Sequence, residues 1–315
     1  MKPEFEIGIL GGGVAVDMAL PAFSLFNSVA ISYEDSSYRN KFSKFKFFED
    51  PNDLFDSTKV ASLYIATPVN VHKGLLLKAS KSKLPVLVEK PLCLDLTECD
   101  EIASCDTHLI SVAFKKRFSP MARQIRRVRS ENKGSVSEIE YIWLAPHPGA
   151  NHWKLNREIA GGGVIMDIGS HILDFFEHCI GKIKSHKIHQ VSFDKKFMTE
   201  SLVEFSCRFE DGSNGRVLIG WAEKESIQKL EFREKDESVT WIKYGDASVS
   251  QLTCIKRQSC QTVNCDRSAD YFPMFREFQA FSKGQRNFMP GFNDGIRNIF
   301  LMSELYNIIS SLQTK

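Results

Sequence analysis

The first 112 residues alternate short apolar segments with helical patterns, and this alternation limits the possible folds more than any other feature of the chain. Strand candidates lie at 6–10, 28–33, 61–66, 84–88 and 108–114. One segment between them, Thr97 to Ser104, begins with a capping-box-like Thr97 and Asp100, which predicts a helix. Strands separated by helices form parallel βαβ units rather than hairpins. The sequence therefore predicts a doubly wound α/β domain over residues 1–115.

The pattern changes in the second half of the chain, where β-rich segments follow one another without helices between them. These segments lie at 186–193, 200–209, 214–222, 227–233, 238–244 and 247–256. Asp211 and Gly212 between two of them predict a hairpin turn, and helical patterns return at 272–282 and 296–312. Residues 116–315 are therefore predicted to form an α+β domain with an open antiparallel or mixed sheet, whose last helix can pack back on the first domain.

A glycine run follows the first strand candidate directly. The chain reads Gly11-Gly12-Gly13-Val14-Ala15, and a helical pattern then extends to Phe26 with Pro21 inside it. Strand, glycine turn and helix in this order are the context of the Rossmann dinucleotide fingerprint. Gly11 would allow the tight turn, and Gly13 would let the backbone approach a pyrophosphate at the helix N-terminus. Val16 takes the place of the third glycine, so the match is partial and an ordinary glycine-rich turn is the alternative.

Two carboxylates end the second strand candidate. Glu34 and Asp35 lie about 20 residues beyond the glycine run, where an acidic side chain binds the ribose 2′-hydroxyl in this fold. Because two adjacent carboxylates would repel a 2′-phosphate, the sequence favours NAD over NADP. A solvated turn is the alternative interpretation of the same pair.

Polar residues also follow two later strand candidates. The chain continues past Ala66 as Thr67-Pro68-Val69-Asn70-Val71-His72, and past Val88 as Glu89-Lys90-Pro91. In a doubly wound sheet the ligand lies beyond the carboxyl ends of the strands. The predicted cofactor contacts here are Thr67, Pro68, Asn70, His72, Glu89 and Lys90. A lone Glu-Lys-Pro sequence is otherwise typical of a surface turn with a solvated ion pair.

Residues 161–174, GGGVIMDIGSHILD, carry polar residues at helical spacing on an apolar background. Asp167, His171 and Asp174 recur about one turn apart, and His178 falls one turn further. A helix would project these four side chains into one narrow arc. A polar stripe of this kind is costly to bury without a role. The sequence predicts either a catalytic helix or a half-buried histidine with a capping aspartate.

These motifs together resemble those of the Gfo/Idh/MocA oxidoreductases, a family that includes glucose–fructose oxidoreductase and inositol dehydrogenase. The resemblance covers nearly the whole chain in the expected order, and its motifs are jointly specific although each is weak alone. Val16 and Val69 depart from the family pattern. The matching pieces are GILGGGVAV, IATPVNVH at 65–72, VEKPL at 88–92, AFKKRFSP at 113–120, GGGVIMDIGSHILD and FREFQAFSKG at 275–284.

The resemblance implies hydride transfer between a nicotinamide and a secondary alcohol or ketone of a sugar, cyclitol or nucleotide sugar. His171 is the candidate general base, because an imidazole titrates near working pH. Lys90 can bind the same oxygen and stabilise developing charge, and which of the two moves the proton stays open. Asp167 could bind a neighbouring hydroxyl or orient the His171 ring, and Arg117 and Trp153 are candidate substrate contacts. Lys154 and Arg157 could meet a carboxylate or phosphate on the substrate, but the sequence favours surface charges.

Two other functions are compatible with the same fold. The first is a non-catalytic NAD-binding sensor or regulator, since the resembled family contains such members. The second is a reductase of a non-sugar carbonyl or imine. The presence of Lys90, Asp167 and His171 favours an enzyme over a sensor.

The composition excludes several classes of partner and site. The formal net charge of +2 gives no electrostatic case for binding nucleic acid or an anionic membrane. The sequence contains no run of 18 apolar residues. Its eight cysteines are scattered without zinc-site or disulfide spacing, so we expect no metal and a reducing, cytoplasmic location.

Apolar residues in the second half suggest self-association. Alternation puts Val217, Ile219 and Trp221 on one sheet face, with Leu230, Phe232 and Trp241 on neighbouring strands. An apolar sheet face is rarely left in water, and members of the resembled family bury it in a dimer. The sequence predicts an isologous sheet-to-sheet homodimer, or a homotetramer built from two. The alternative is a monomer in which these residues point inward.

Overall fold

The computed structural model describes residues 3–32, 41–56, 58–149, 152–222, 226–244, 249–256, 259–266 and 270–313. The chain divides into two compact units. The first comprises Met1–Lys115 and Tyr271–Ile299, and the second comprises Lys116–Asp270 and Phe300–Lys315. Residues 271–299 therefore lie in the first unit, whereas the sequence prediction placed them in the second.

The helices are named here in chain order. They are α1 (Val14–Ala19), α2 (His72–Lys81), α3 (Leu96–Ala103), α4 (Pro120–Glu131), α5 (Arg157–Ala160), α6 (Ser170–Cys179), α7 (Tyr271–Ser282) and α8 (Phe292–Gln313). The helix predicted up to Phe26 is α-helical only to Ala19, and a 3₁₀ segment continues to Leu25. Pro21 lies at its start and has no N–H to extend the α-helical hydrogen bonds.

The first unit is built on a parallel sheet, as predicted. Its strands are β1 (Ile7–Leu10), β2 (Val29–Ser32), β3 (Lys46–Phe47), β4 (Leu63–Ile65), β5 (Val86–Val88) and β6 (Ile110–Val112). The order is β3-β2-β1-β4-β5-β6, and every neighbouring pair is parallel. Successive strands are added on one side of β1 up to β3 and on the other side from β4 onward. Ligands in doubly wound folds bind at such a switch point, here between β1 and β4.

Two local details of this unit differ from the sequence prediction. Helix α3 is capped by Asp95, not by Thr97: Glu98 N donates to Asp95 Oδ1 (2.9 Å), and Leu94 N donates to Glu98 Oε2 (2.9 Å). Helix α7 belongs here because the ring of its Phe275 contacts the rings of Phe23 and Tyr64, with centroids 5.2 and 5.1 Å apart.

The second unit contains an eight-stranded mixed sheet. Its strands are β7 (Glu138–Pro146), β8 (Ile183–Phe193), β9 (Glu200–Phe209), β10 (Asn214–Ala222), β11 (Ile227–Glu234), β12 (Glu237–Tyr244), β13 (Val249–Lys256) and β14 (Ser259–Asp266). The order is β14-β13-β12-β11-β7-β10-β9-β8. Strand β7 pairs parallel with β10 and antiparallel with β11, so it interrupts the predicted meander. Sequence analysis missed β7 and β14.

The apolar sheet residues that suggested a dimer are buried inside this unit. Val217, Ile219, Leu230 and Phe232 are 0% exposed, and Trp221 is 9% exposed. The Ile219 side chain lies against Gly169, which precedes α6. The prediction that these residues form an intersubunit surface is therefore wrong, because the unit's own helical segments cover them.

One helical stretch of the described residues, Arg157–Cys179, is long and apolar enough to cross a membrane by length and composition alone. In this fold, 83% of its most apolar window is buried. A buried core helix meets the same criteria, so the stretch is weak evidence for a membrane span.

Candidate active site

The glycine turn of the first unit leaves its backbone open on one side. Gly11 has a φ of +109°, and a side chain there would clash with the carbonyl of Ala66 at the end of β4. At Gly13, by contrast, a Cβ would meet nothing within 4 Å. Gly12 is buried, Ala15 is half-buried, and Val14 at the start of α1 is 66% exposed. This open backbone beside a helix start fits a pyrophosphate.

The predicted ribose contacts cannot be placed. Glu34 and Asp35 lie outside the described residues, which resume at Lys41. Strand β2, which leads toward them, ends at Ser32. Their role in cofactor choice stays a prediction.

His72 ties the two polar loops of the first unit together. Its ring is buried, with Nε2 3.0 Å from the Thr67 carbonyl and Nδ1 3.0 Å from the Pro91 carbonyl. Burial lowers the pKa of His72. Both ring nitrogens lie against backbone carbonyl oxygens. His72 was predicted as a direct cofactor contact, but in this position it would affect cofactor binding by fixing the two loops. Pro68 is half-buried beside Thr67, and Asn70 is exposed.

The backbone around Lys90 is fixed by a buried carboxylate. Glu89 Oε1 accepts from the hydroxyl of Tyr64 (2.7 Å), and Glu89 Oε2 accepts from Lys90 N (3.3 Å). Burial raises the pKa of Tyr64 well above its usual value, which keeps it a hydrogen-bond donor. The side chain of Lys90 itself is half-buried.

In the second unit, residues 157–179 form three successive helical pieces and not one regular α-helix. Gly161 ends α5 with a left-handed φ of 79°, residues Ile165–Gly169 form a π-helical turn, and α6 follows. The π-turn changes the angular spacing that the sequence analysis assumed. The polar side chains accordingly engage different partners: Asp167 contacts Lys154, while Asp174 contacts Arg117.

His171 packs against an aromatic ring that the sequence analysis did not identify. It is 7% exposed, and its ring stacks on that of Trp143 with centroids 5.5 Å apart and planes at 20°. Lys116 Nζ lies 5.7 Å from the Trp143 centroid and forms an ion pair with Asp270 (3.0 Å). The stacked indole of Trp143 therefore fixes the plane of the His171 imidazole.

Asp167 is held by a lysine that sequence analysis assigned to the surface. Lys154 Nζ lies 2.8 Å from Asp167 Oδ1, and Trp221 Nε1 donates to Oδ2 (3.3 Å). Burial, followed by the charge of Lys154, lowers the pKa of His152. Trp153, a predicted substrate contact, is 36% exposed beside Lys154. The carboxylate of Asp167 is therefore charge-compensated and fixed in orientation.

Arg117, also predicted to contact substrate, is committed to a buried carboxylate. Its Nε lies 3.0 Å from both oxygens of Asp174, and its Nη2 lies 2.6 Å from Oδ1. The Asp174 side chain is 2% exposed and that of Arg117 is 17% exposed. The pair neutralises a charge inside α6, three residues after His171.

Comparison with known proteins identifies the family. A profile described as the oxidoreductase family with an NAD-binding Rossmann fold matches residues 5–108, and a profile of the GFO/IDH/MocA C-terminal domain matches residues 122–235. The chain belongs to the Gfo/Idh/MocA family. It is an NAD-binding oxidoreductase, as the sequence motifs predicted.

The individual relatives include a catabolism protein and named dehydrogenases. The rhizopine catabolism protein MocA of Rhizobium meliloti is 25% identical over 234 residues, 69% of this chain and 71% of that protein. The scyllo-inositol 2-dehydrogenase (NAD(+)) of Bacillus subtilis (strain 168) is 28% identical over 160 residues, which cover 49% of this chain and 46% of that protein. A solved levoglucosan dehydrogenase in complex with NADH superposes with a TM-score of 0.80 at 18% identity, covering 96% of each chain. At that identity the likeness shows the fold alone.

The two departures from the Gfo/Idh/MocA sequence pattern are core residues in this structure. Val16, at the third glycine position, is 0% exposed, and Val69 is 2% exposed. Each packs its side chain into the interior of the first unit. Neither substitution removes a polar group from the candidate site.

The Arg117–Asp174 pair gives a stability prediction for this Gfo/Idh/MocA protein. Arg117→Met should lower the free energy of unfolding by about 3–5 kcal/mol, because it leaves a buried carboxylate without its main counter-charge. Urea denaturation measures the loss. The matched control is Arg216→Met, whose guanidinium is 64% exposed beside Glu204 and should cost under about 1 kcal/mol. Equal losses in the two variants would contradict the assignment.

Proposed function

We propose that this protein is an NAD-dependent dehydrogenase that transfers hydride between the nicotinamide and a secondary alcohol or ketone of a sugar or cyclitol. The names of the relatives that act on inositols and levoglucosan support this substrate class. The observation that carries the proposal is the arrangement of residues 167–171. A charge-compensated Asp167 on a π-turn precedes a buried His171 that is stacked on Trp143.

In the proposed reaction the protein handles the proton and the substrate hydroxyls. A nicotinamide cofactor, when bound, would supply the hydride chemistry. Either His171 takes the hydroxyl proton while the Lys90 ammonium stabilises the developing alkoxide, or a neutral Lys90 amine takes the proton itself. Asp167, oriented by Lys154 and Trp221, accepts a hydrogen bond from a neighbouring hydroxyl. Trp153 offers an exposed ring to the apolar face of the substrate.

A substrate screen tests the proposal. Purified protein with NAD⁺ is offered scyllo-inositol, myo-inositol, levoglucosan and a UDP-sugar, and NADH fluorescence is followed. Lys90→Ala protein prepared in parallel controls for contaminating dehydrogenases. Turnover by the wild type alone supports the proposal. Tight NADH binding without turnover of any alcohol or ketone would favour the sensor function instead.

Cofactor choice gives a separate prediction. Because Glu34 and Asp35 would repel a 2′-phosphate, NAD(H) should bind at least tenfold more tightly than NADP(H), a difference of about 1.4 kcal/mol. Titration calorimetry with both cofactors measures it. Glu34→Arg should shift the preference toward NADP(H), and Glu49→Arg, on an exposed loop, is the control. Equal affinities in the wild type would refute the assignment.

We propose further that two copies associate through the outer face of the second sheet. With the inner face buried, the apolar residues left half-exposed include Ile142, Leu144, Leu202 and Leu218. Leu218 is in register with Ile142 on the parallel strand β7. Exposed ion pairs such as Arg216–Glu204 border this surface. The resemblance to dimeric family members and this apolar strip together support an isologous dimer.

Light scattering tests the dimer. The wild type should give twice the 35.8 kDa of one chain, or four times for a tetramer. Leu218→Asp should shift it toward monomer while NADH binding persists. Ile219→Asp is unsuitable, because Ile219 is 0% exposed within one chain. Val136→Asp, at an exposed residue outside the strands, is the control. A wild-type mass of one chain would rule out the dimer.

The cysteines support a reducing location. Among the described residues, the thiols of Cys93, Cys99, Cys105, Cys179, Cys207 and Cys260 are not in disulfide bonds. Cys93 and Cys99 approach within 3.3 Å as thiols in the core of the first unit. Free thiols persist where glutathione keeps them reduced, so we propose the cytoplasm as the location.

A further inference from the structure

A buried carboxylate contacts the start of the segment that carries Asp167 and His171. Glu200, the first residue of β9, is 4% exposed. One oxygen, Oε1, accepts from Gly163 N (2.8 Å), from Ile165 N (3.1 Å) and from the hydroxyl of Tyr306 on α8 (2.7 Å). Burial raises the pKa of Glu200, while these three donors oppose that rise.

The two backbone donors are those that a helical segment cannot satisfy internally. Peptide N–H groups in the first turn have no carbonyl partner within the helix, and their aligned dipoles favour a negative charge. The π-turn begins at Ile165, and Asp167 N donates to the carbonyl of Gly163. Glu200 therefore binds the peptide groups of Gly163 and Ile165, just before Asp167. The placement of these peptide groups determines where the following backbone carries Asp167 and His171.

The glycines of this segment are explained by the same contacts. A side chain at Gly162 would clash with the Tyr306 hydroxyl, and one at Gly163 would clash with the Glu200 backbone carbonyl. The backbone must therefore come unusually close to Glu200 and Tyr306. This close approach gives Gly162 and Gly163 a structural reason that the sequence motif alone does not supply.

We propose that Glu200 and Tyr306 are positioning residues for His171 and Asp167. Glu200 fixes the entry of the segment, and Tyr306 holds the Glu200 carboxylate in place from α8. The C-terminal helix thereby helps to determine the orientation of the imidazole. Its importance for turnover rests on the role proposed for His171 above, but the positioning itself can be measured without a substrate.

The test follows the His171 ring by NMR in protein labelled with ¹⁵N-histidine. The chain has eight histidines, and the signals that vanish in His171→Asn identify His171. Glu200→Ala should shift these signals and move the titration midpoint of His171 by about 0.5 pH units or more, because the ring changes its placement against Trp143. Glu200→Gln keeps an oxygen acceptor and should stay close to the wild type. Tyr306→Phe should shift the signals in the same direction as Glu200→Ala by a smaller amount.

The controls separate positioning from general loss of stability. Glu204 lies on the same strand as Glu200 but pairs with the exposed Arg216. The Glu204→Ala variant should therefore leave the His171 signals unchanged. The rings of His108 and His189 should be unaffected in every variant. NADH affinity should change less than about twofold, since the glycine turn lies in the first unit.

A folded Glu200→Ala or Tyr306→Phe protein with wild-type His171 signals and midpoint would overturn the proposal, even if its melting temperature fell. If Glu200→Ala does not fold, Tyr306→Phe decides by the same criterion. An inactive wild type with the expected His171 shifts would instead reject the proposed dehydrogenase function and leave the positioning role intact.

Discussion

Replacing His171 with Asn or Lys90 with Ala is expected to lower kcat by about two orders of magnitude or more, the usual size of an acid–base contribution. His171 is 7% exposed and stacked on Trp143, so its ring has a defined orientation. The backbone of Lys90 is fixed through Glu89, which is itself bound by Tyr64. The rate of NADH formation at saturating alcohol measures both effects.

Cofactor affinity should change far less than kcat in these variants, because neither side chain is predicted to hold the pyrophosphate. Lys133→Ala and His189→Asn, at exposed residues, are the matched controls. If Lys90 and His171 serve the same proton transfer, the double variant should lose little more than the weaker single variant. Wild-type rates in both single variants would show that the catalytic assignment is wrong.

The glycine turn gives the second large effect. Gly11→Ala should lower the free energy of unfolding by at least about 1–3 kcal/mol, the cost of a strained backbone conformation. Gly11 has a φ of +109° and approaches the carbonyl of Ala66 too closely for a side chain. Urea denaturation without cofactor measures this loss, and NADH binding should weaken with it.

Gly13→Ala is the matched variant in the same turn. Its φ of −79° is open to alanine and its surroundings are empty, so stability should stay within about 0.5 kcal/mol of the wild type. NADH binding should nevertheless weaken at least tenfold, because the methyl group lies where the pyrophosphate is predicted to approach. Unchanged NADH affinity in folded Gly13→Ala protein would move the predicted pyrophosphate site elsewhere.

Local sequence patterns predicted the first unit well. The five strand candidates before residue 115 each contain a strand, because apolar runs bounded by helical patterns carry the signal of a buried parallel strand. Two-residue β3 was too short to leave such a signal. Strand β7 was missed although Ile139 and Tyr141 alternate with Glu138 and Glu140, which mask the apolar face.

The arrangement around residues 161–179 could not be predicted from local patterns. The sequence shows that Asp167 and His171 are one turn apart, but not that a π-turn lies between the glycines and α6. Trp143 was missed together with its strand, and Lys154 was assigned to the surface. The sheet face predicted to be exposed is the buried one for the same reason. Alternation shows which residues share a face but not which face the helices cover.

The sequence by itself determined the α/β class of the first unit, the β-rich class of the second, and the residue types at the strand ends and at positions 161–174. These follow from spacing and chemistry within about one element. Only the tertiary structure decided which side chains meet. Asp174 finds Arg117 57 residues away, and Glu200 finds Gly163 and Tyr306 at separations of 37 and 106 residues. Such contacts form because a buried charge or helix end is unfavourable unless it is paired or hydrogen-bonded. Sequence periodicity does not indicate which distant residue will be the partner.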